Sequence, residues 1–274
     1  MAYPVVSAPY GLKPVNLIGG QVFAGSTREL PITYGYATNI FYGDFVTLVR
    51  GNLERISVTT GVVGTLMGVF LGCSYTNPLT KQKTFSQYWP ASTLAGDAVA
   101  IVCDDPDTVF QAVMVSGTTV VTSGARAMIG QNLAAVNNTG STATGNSANA
   151  VLADTSLALT AALPIRVIGL VPDSVVAQGT GVYSSISSAT VTLASALTFT
   201  PVVGSDVGSI AANGQYIASG SYVASVTNST TVVLNAAPLV AFASASTLVF
   251  NQYPEVLVKI NFGLHKYYAG TAVA

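Results

Sequence analysis

Residues 64–115 read GTLMGVFLGCSYTNPLTKQKTFSQYWPASTLAGDAVAIVCDDPDTVFQAVMV, and this stretch decides the fold class. Its apolar runs at 66–73, 98–103 and 108–115 are short, rich in Val, Ile and Phe, and bounded by Gly, Pro, Asn and Asp. Those are strand signals, and no helical period is sustained across any of them. The polar and aromatic connection between the first two runs, and the acidic break Asp104-Asp105-Pro106-Asp107, read as loops. An all-β chain built on a β-barrel or β-sandwich core is the expectation.

The flanks extend the pattern in both directions. Upstream, strands are expected at 30–33, 44–49 and 53–58, with Arg50-Gly51-Asn52 as a turn and an aromatic cluster of Tyr34, Tyr36, Phe41 and Tyr42 between the first two. The opening, MAYPVVSAPYGLKPVNLIGG, spaces Pro4, Pro9 and Pro14 among apolar residues, which forbids helix and favours extended chain. Residues 1–20 are therefore expected as an extended N-terminal arm that reaches a partner, or alternatively as an edge strand of its own domain. Downstream, a strand is expected at 118–122, a helical turn within 125–136, and strands at 156–162, 164–171 and 255–262. The run NNTGSTATGNSAN at 137–149 holds no apolar side chain larger than alanine and is expected to be an exposed, mobile loop.

Residues 173–250 change character. Asp206 is the only charged residue between Ser174 and Asn251, and the stretch repeats itself: ATVTLASA at 189–196 returns as TTVVLNAA at 230–237, each followed by a proline. This reads as a small β module of Thr/Val-rich strands inserted into the core, with turns near Asn213-Gly214 and Asn228-Ser229. The expected organisation is an arm over 1–20, a β core over 21–172 plus 251–274, and an inserted, protruding module over 173–250.

Charge excludes several functions. Asp, Glu, Lys and Arg make up 8% of the 274 residues, against about 25% in an ordinary globular chain. A net charge of −1, with no run of Lys and Arg, argues against a nucleic-acid partner. The longest apolar run, 62–73, is interrupted by glycine and too short to span a bilayer, so no membrane partner is expected. The N-terminus lacks a basic region followed by a continuous apolar one, so the product is expected in the cytoplasm of the cell that makes it. A neutral polar exterior does suit protein contacts, because few charges must be desolvated.

Catalysis is not expected, and neither is a cofactor or a metal. The acids at 104–107 lack the spacing of a calcium loop and read as an acidic turn. His265 is the single histidine and has no second to complete a zinc site with Cys73 and Cys103. Those cysteines end two neighbouring strands, where a disulfide is possible and buried thiols are the default. Neither a Gly-x-Ser-x-Gly elbow nor a phosphate-binding glycine loop is present.

A series of landmarks resembles those of tailed-bacteriophage head proteins, usually described as capsid decoration or cement proteins. They are Ala8-Pro9-Tyr10-Gly11-Leu12-Lys13-Pro14, Gly43-Asp44-Phe45-Val46, Gly68-Val69-Phe70-Leu71-Gly72-Cys73, Trp89-Pro90-Ala91-Ser92, the acidic run with Phe110, the glycines 140 and 145, residues 163–170, and Val258-Lys259-Ile260-Asn261 ending at His265. The order of landmarks covers 1–172 and 251–274; in shorter relatives the strand like 164–171 runs almost directly into the last strand. The resemblance implies a virion structural protein, made in the bacterial host cytoplasm, that binds the major capsid protein on the outside of the head and bridges capsomers. Self-association is also implied, with a homotrimer suited to threefold sites. Candidate contacts are Tyr3, Pro4, Val5, Pro9, Tyr10 and Leu12 of the arm, and Phe85, Tyr88 and Trp89 of the aromatic loop, since Trp and Tyr concentrate binding energy. The other reading of that loop is that its aromatics cap the barrel. The alternative function is a head fibre or host-surface protein whose inserted module binds glycans.

Overall fold

The computed structural model describes residues 9–56, 65–116, 119–120, 126–152, 163–171, 174, 179–198, 200–201, 203, 207–210, 221–237, 247–250 and 254–268. The fold is all-β. Compact units divide the chain into 9–113, 126–170 and 256–274 on one side, and 1–8, 114–125 and 171–255 on the other. The second unit thus takes in 114–125, which the sequence places with the core.

In the larger unit the expected arm is in part a strand. β1 (Lys13–Leu17) pairs antiparallel with β8 (Thr108–Ser116) and forms one edge of a sheet. Leu12 is fully buried, and its backbone N–H donates to Gly43 O at 3.0 Å. From Pro9 onward the segment is therefore edge strand and core; Tyr3, Pro4 and Val5 lie outside the described residues.

The centre of this unit is a five-stranded barrel. β2 (Arg28–Pro31), β7 (Val99–Cys103), β5 (Gly68–Thr76), β3 (Phe45–Val49) and β4 (Asn52–Arg55) lie side by side in that order, each pair antiparallel. An odd number of strands cannot close with antiparallel pairs alone. The closing contact is the parallel bridge Ile32 to Leu53. The turn between β3 and β4 is Arg50-Gly51, both at positive φ (49° and 82°), the type I′ geometry that matches strand twist. β5 reads as a nearly continuous apolar run because both its faces are covered, and a Cβ on Gly68 would stand 2.2 Å from Cys103 O. Ile32, Ile40, Val46, Leu53, Phe70, Trp89 and Val102 fill the interior. Cys73 pairs with Ala100 and Cys103 with Val69, so the two thiols are out of register; both are free and buried. Burial pushes the Cys73 thiol up to about 12.

A second sheet runs in the order β1, β8, β11 (Ala150–Leu152), β10 (Asn132–Val136), β12 (Ile165–Leu170), β19 (Glu255–Ile260), and the short β9 (Thr119–Val120) pairs with the end of β8. β12 pairs antiparallel with β19 from Ile165 opposite Ile260 to Leu170 opposite Val256. Residues 171–254 therefore occupy the place of a hairpin loop between these two strands in the chain.

The 137–149 loop departs from expectation. Residues 141–144 are exposed, but Gly145, Ser147 and Asn149 are buried, and the loop is tied down along its length. Tyr42 N–H donates to Gly145 O (3.0 Å), Ser147 N–H to Tyr42 O (2.9 Å), and Ser147 Oγ to Asp44 Oδ1 (2.6 Å). Gly140 lies against the Phe41 ring, where a Cβ would come within 2.5 Å. Short polar side chains do here what a strand ladder does elsewhere, satisfying buried backbone groups.

In the smaller unit, a six-stranded sheet is built wholly within 179–250, in the order β15 (Val207–Ile210), β18 (Thr247–Phe250), β13 (Gly179–Ser187), β14 (Thr190–Leu193), β17 (Thr231–Leu234), β16 (Val223–Asn228). The repeat seen in the sequence is a duplicated hairpin, β13–β14 and β16–β17, whose second strands pair with Val191 opposite Val232. Hydrogen bonds come in matching pairs about that point: Leu193 N to Thr230 O with Leu234 N to Ala189 O, and Ala194 N to Val182 O with Asn235 N to Tyr222 O. A bond from Val207 N to Ser221 O joins the sheet's two ends. The matched residues Val191 and Val232, and Leu193 and Leu234, are core together with Val207, Val223, Leu248 and Phe250.

Candidate contact surface

The aromatic loop divides its side chains between two fates. β5 outruns the barrel, and its end, Cys73 to Thr76, pairs with β6 (Lys83–Ser86), a strand with no other partner among the described residues of its sheet. Asn77 sets the hairpin turn: its Oδ1 accepts from Leu79 N–H (2.9 Å) and Thr80 N–H (3.3 Å), and Lys81 N–H donates to Asn77 O (2.8 Å). Asp97 braces the hairpin from the side. It accepts from Thr76 N–H (2.9 Å) and Oγ1 (2.7 Å), and Lys83 Nζ stands 3.0 Å away. These hydrogen bonds, the one from Thr76 N–H foremost, hold the Asp97 carboxyl well below the usual carboxylate range. On this support Leu79 is 90% exposed and Phe85 79% exposed.

The chain then turns inward. Trp89 is fully buried, exchanges backbone hydrogen bonds with Ile40, donates from Nε1 to Tyr36 O (3.3 Å), and meets the Tyr75 ring edge-on at 5.4 Å. Tyr88 is half-buried and stacks on Phe41 at 5.7 Å. Of the loop candidates, Phe85 is a surface side chain, Tyr88 lies at the boundary, and Trp89 has no surface to offer. Leu12 is withdrawn for the same reason, while Pro9 and Tyr10 are half-buried, Tyr10 under the Lys13 ammonium at 4.0 Å. Leu79, the most exposed of these apolar side chains, went unmarked. The Asn-Pro-Leu-Thr turn was the available signal, since an apolar residue at the tip of a turn has nothing of its own to pack on.

The acidic turn and the C-terminal landmark form a clasp. Arg28 Nε lies 3.2 Å from Asp104 Oδ2, which also accepts from the Tyr267 hydroxyl, and the Arg28 guanidinium sits over the Tyr267 ring at 5.2 Å. Asp105 Oδ1 accepts from Asp107 N–H (2.9 Å), and Lys259 Nζ stands 3.4 Å from Asp107. Beneath them His265 is fully buried and bridges to Leu66. Its Nδ1 accepts from Tyr267 N–H (3.3 Å), so in the neutral ring Nε2 carries the proton, on the side of Asp104. Burial holds the imidazole below its ordinary value of 6.5, against the opposing pull of Asp104 and Asp105. The unfolded chain then binds a proton that the folded chain refuses, so stability falls as pH drops through and below that value. Denaturant midpoints at pH 7.5 and pH 5 should show this loss in the native chain and a smaller one in His265→Gln. Equal losses in both would remove His265 as the cause.

No family model, curated protein or solved structure matches the chain.

Proposed function

We propose that the chain is a virion structural protein that binds the outside of a tailed-phage head and stabilises the capsid by bridging capsomers, as a homo-oligomer with a trimer favoured. The observation that carries this reading is the β5–β6 hairpin. Two large apolar side chains, Leu79 and Phe85, are held out on a braced hairpin whose outer strand pairs on one edge only among the described residues, in a chain with very little charge. Rigid apolar anchors lose little entropy on contact, and many such modest contacts sum by multivalency on a repeating shell.

The landmarks that resemble the phage head proteins give the class of partner, and in this chain they are core-forming residues. Gly11 approaches Gly43 so closely that a Cβ would stand 2.6 Å from Gly43 O. Asp44 and Trp89 are buried, and Asp104 and His265 belong to the clasp. A resemblance carried by such residues supports a shared core, which is where likeness in fold resides.

The test is the copy number of this chain relative to the major capsid protein in purified virions. A ratio near unity supports a cement protein; a few per cent would move it to a fibre or tail. At residue level, Leu79→Ser with Phe85→Ser should leave stability within about 0.5 kcal/mol, as surface changes do. Binding to heads lacking the protein should weaken by about tenfold or more, the scale of a hot-spot pair. Unchanged binding would remove the hairpin from the contact. Removing residues 2–8, which carry Tyr3, Pro4 and Val5, leaves β1 whole and tests the arm separately.

A further inference from the structure

The duplicated module is symmetric in its ladder except at one place. Both hairpins slip register at the same point, between Tyr183 and Ser185 in the first and between Val223 and Ser225 in the second. The second hairpin slips again, between Val226 and Asn228, which leaves Thr227 opposite no residue of β17; in the first, Ile186 and Ser187 follow one another in register. A bulge re-aims the side chain it frees, and bulges concentrate beside binding sites. This one forms the wall of a groove of about 380 Å³ in the smaller unit, within the roughly 300–1,000 Å³ range of small-molecule sites.

The lining is chemically uniform. Leu197, Pro201 and Val226 supply aliphatic surface, and Thr198, Thr227 and Asn228 supply hydroxyl and amide groups, with no charged side chain among the described residues of the lining. Two hydrogen bonds fix the walls. Leu197 N–H donates to Ser229 O at 2.8 Å, and Asn228 Oδ1 accepts from Thr230 N–H at 2.9 Å, which leaves the Asn228 amide hydrogens as donors. A ligand that suits this groove is uncharged, carries both donors and acceptors, and presents a C–H face to aliphatic carbon.

We propose that the groove lined by Leu197, Thr198, Pro201 and residues 226–229 is a binding site for a neutral saccharide, which lays the C–H face of a ring on Leu197, Pro201 and Val226 and hydrogen-bonds its hydroxyls to Thr198, Thr227 and Asn228. The site is independent of the head-binding reading and stands or falls without it.

The test uses the full chain and saturation-transfer NMR with maltotriose, cellotriose, chitotriose and mannotriose as neutral probes, and with lactose against sialyllactose as a neutral and anionic pair. At least one neutral probe should bind at millimolar concentration. Thr198→Tyr, an exposed position whose new side chain fills the groove, should weaken that binding by about tenfold or more. Ser187→Tyr, at an exposed strand position of the other hairpin, should leave it within about twofold. Asn228→Asp keeps the Oδ1 acceptor that holds the turn and removes the two donors; it too should weaken binding, which keeps the test open if Thr198→Tyr folds poorly. No binding by any neutral probe, tighter binding of sialyllactose than of lactose, or binding that survives both groove variants would each overturn the proposal.

Discussion

Replacing Arg55 with methionine should lower the unfolding free energy by about 3–5 kcal/mol at neutral pH, the cost of stranding a buried charge. The stranded group is Asp44, whose side chain is fully buried with Arg55 Nε 2.8 Å from its Oδ2. Asp44 also accepts from Phe41 N–H (2.9 Å) and from Ser147 Oγ (2.6 Å), so without Arg55 it keeps two donors and loses its cation. Arg55 has a second task. Its Nη2 donates to Asn137 Oδ1 (2.8 Å) and to Asn138 O (2.6 Å), which moors the 137–149 loop to the end of β4. The variant should accordingly lose protection from hydrogen exchange in that loop as well as global stability.

The pH dependence of that variant follows from the sign of the Asp44 shift. Burial already raises the Asp44 carboxyl above its ordinary 3.8, against the opposing field of Arg55. With Arg55 gone the opposing positive charge disappears and the carboxyl rises further. A raised carboxyl contributes stability below its unfolded value and loses it as pH climbs through the folded one. The deficit of Arg55→Met relative to the native chain should therefore shrink on acidification towards pH 4. Adding Asp44→Asn should recover most of the loss at pH 7, because both partners are then uncharged. A deficit that stays constant with pH, or a double variant no better than the single, would show that Arg55 acts through packing alone.

The network behind this expectation was hidden in the sequence, while the strands it ties together were plain. β5, β7 and β8 were legible because each is a short apolar run between turn residues, and a strand covered on both faces needs no alternation to be recognised. The repeat in 173–250 was legible because both hairpins bury the same two positions, Val and Leu. The 137–149 loop was misread for a physical reason: composition records that a segment has no apolar side chains, and cannot record that its Ser and Asn groups have found partners in the barrel. Asp44 read as the first residue of a strand and Arg55 as an ordinary strand residue. In a chain with 8% charged residues, each charge was a sharper clue than its local context suggested.

Trp89→Ala should cost about 3–5 kcal/mol, the range for removing a large aromatic from a core. The site cannot close over the loss, because Ile40 on one side and Tyr75 on the other are fixed by barrel strands and by the backbone bonds that Trp89 shares with Ile40. Tyr36 O loses the indole donor as well, and the edge-on contact with Tyr75 disappears. Phe85→Ser, four residues earlier in the chain, should move stability by no more than about 0.5 kcal/mol. The pair separates the two readings of an aromatic loop, contact anchor against barrel filling, between which the sequence favoured filling. Denaturant unfolding of both variants gives the stabilities, and head binding scaled to the folded fraction gives the function. Trp89→Ala should lose stability and keep its binding per folded molecule; Phe85→Ser should do the reverse. If Trp89→Ala instead binds heads poorly while folded, the loop reorganises on contact and Trp89 returns to the list of anchors. If Phe85→Ser binds normally, Leu79 or the outer edge of β6 carries the hairpin's share of the contact.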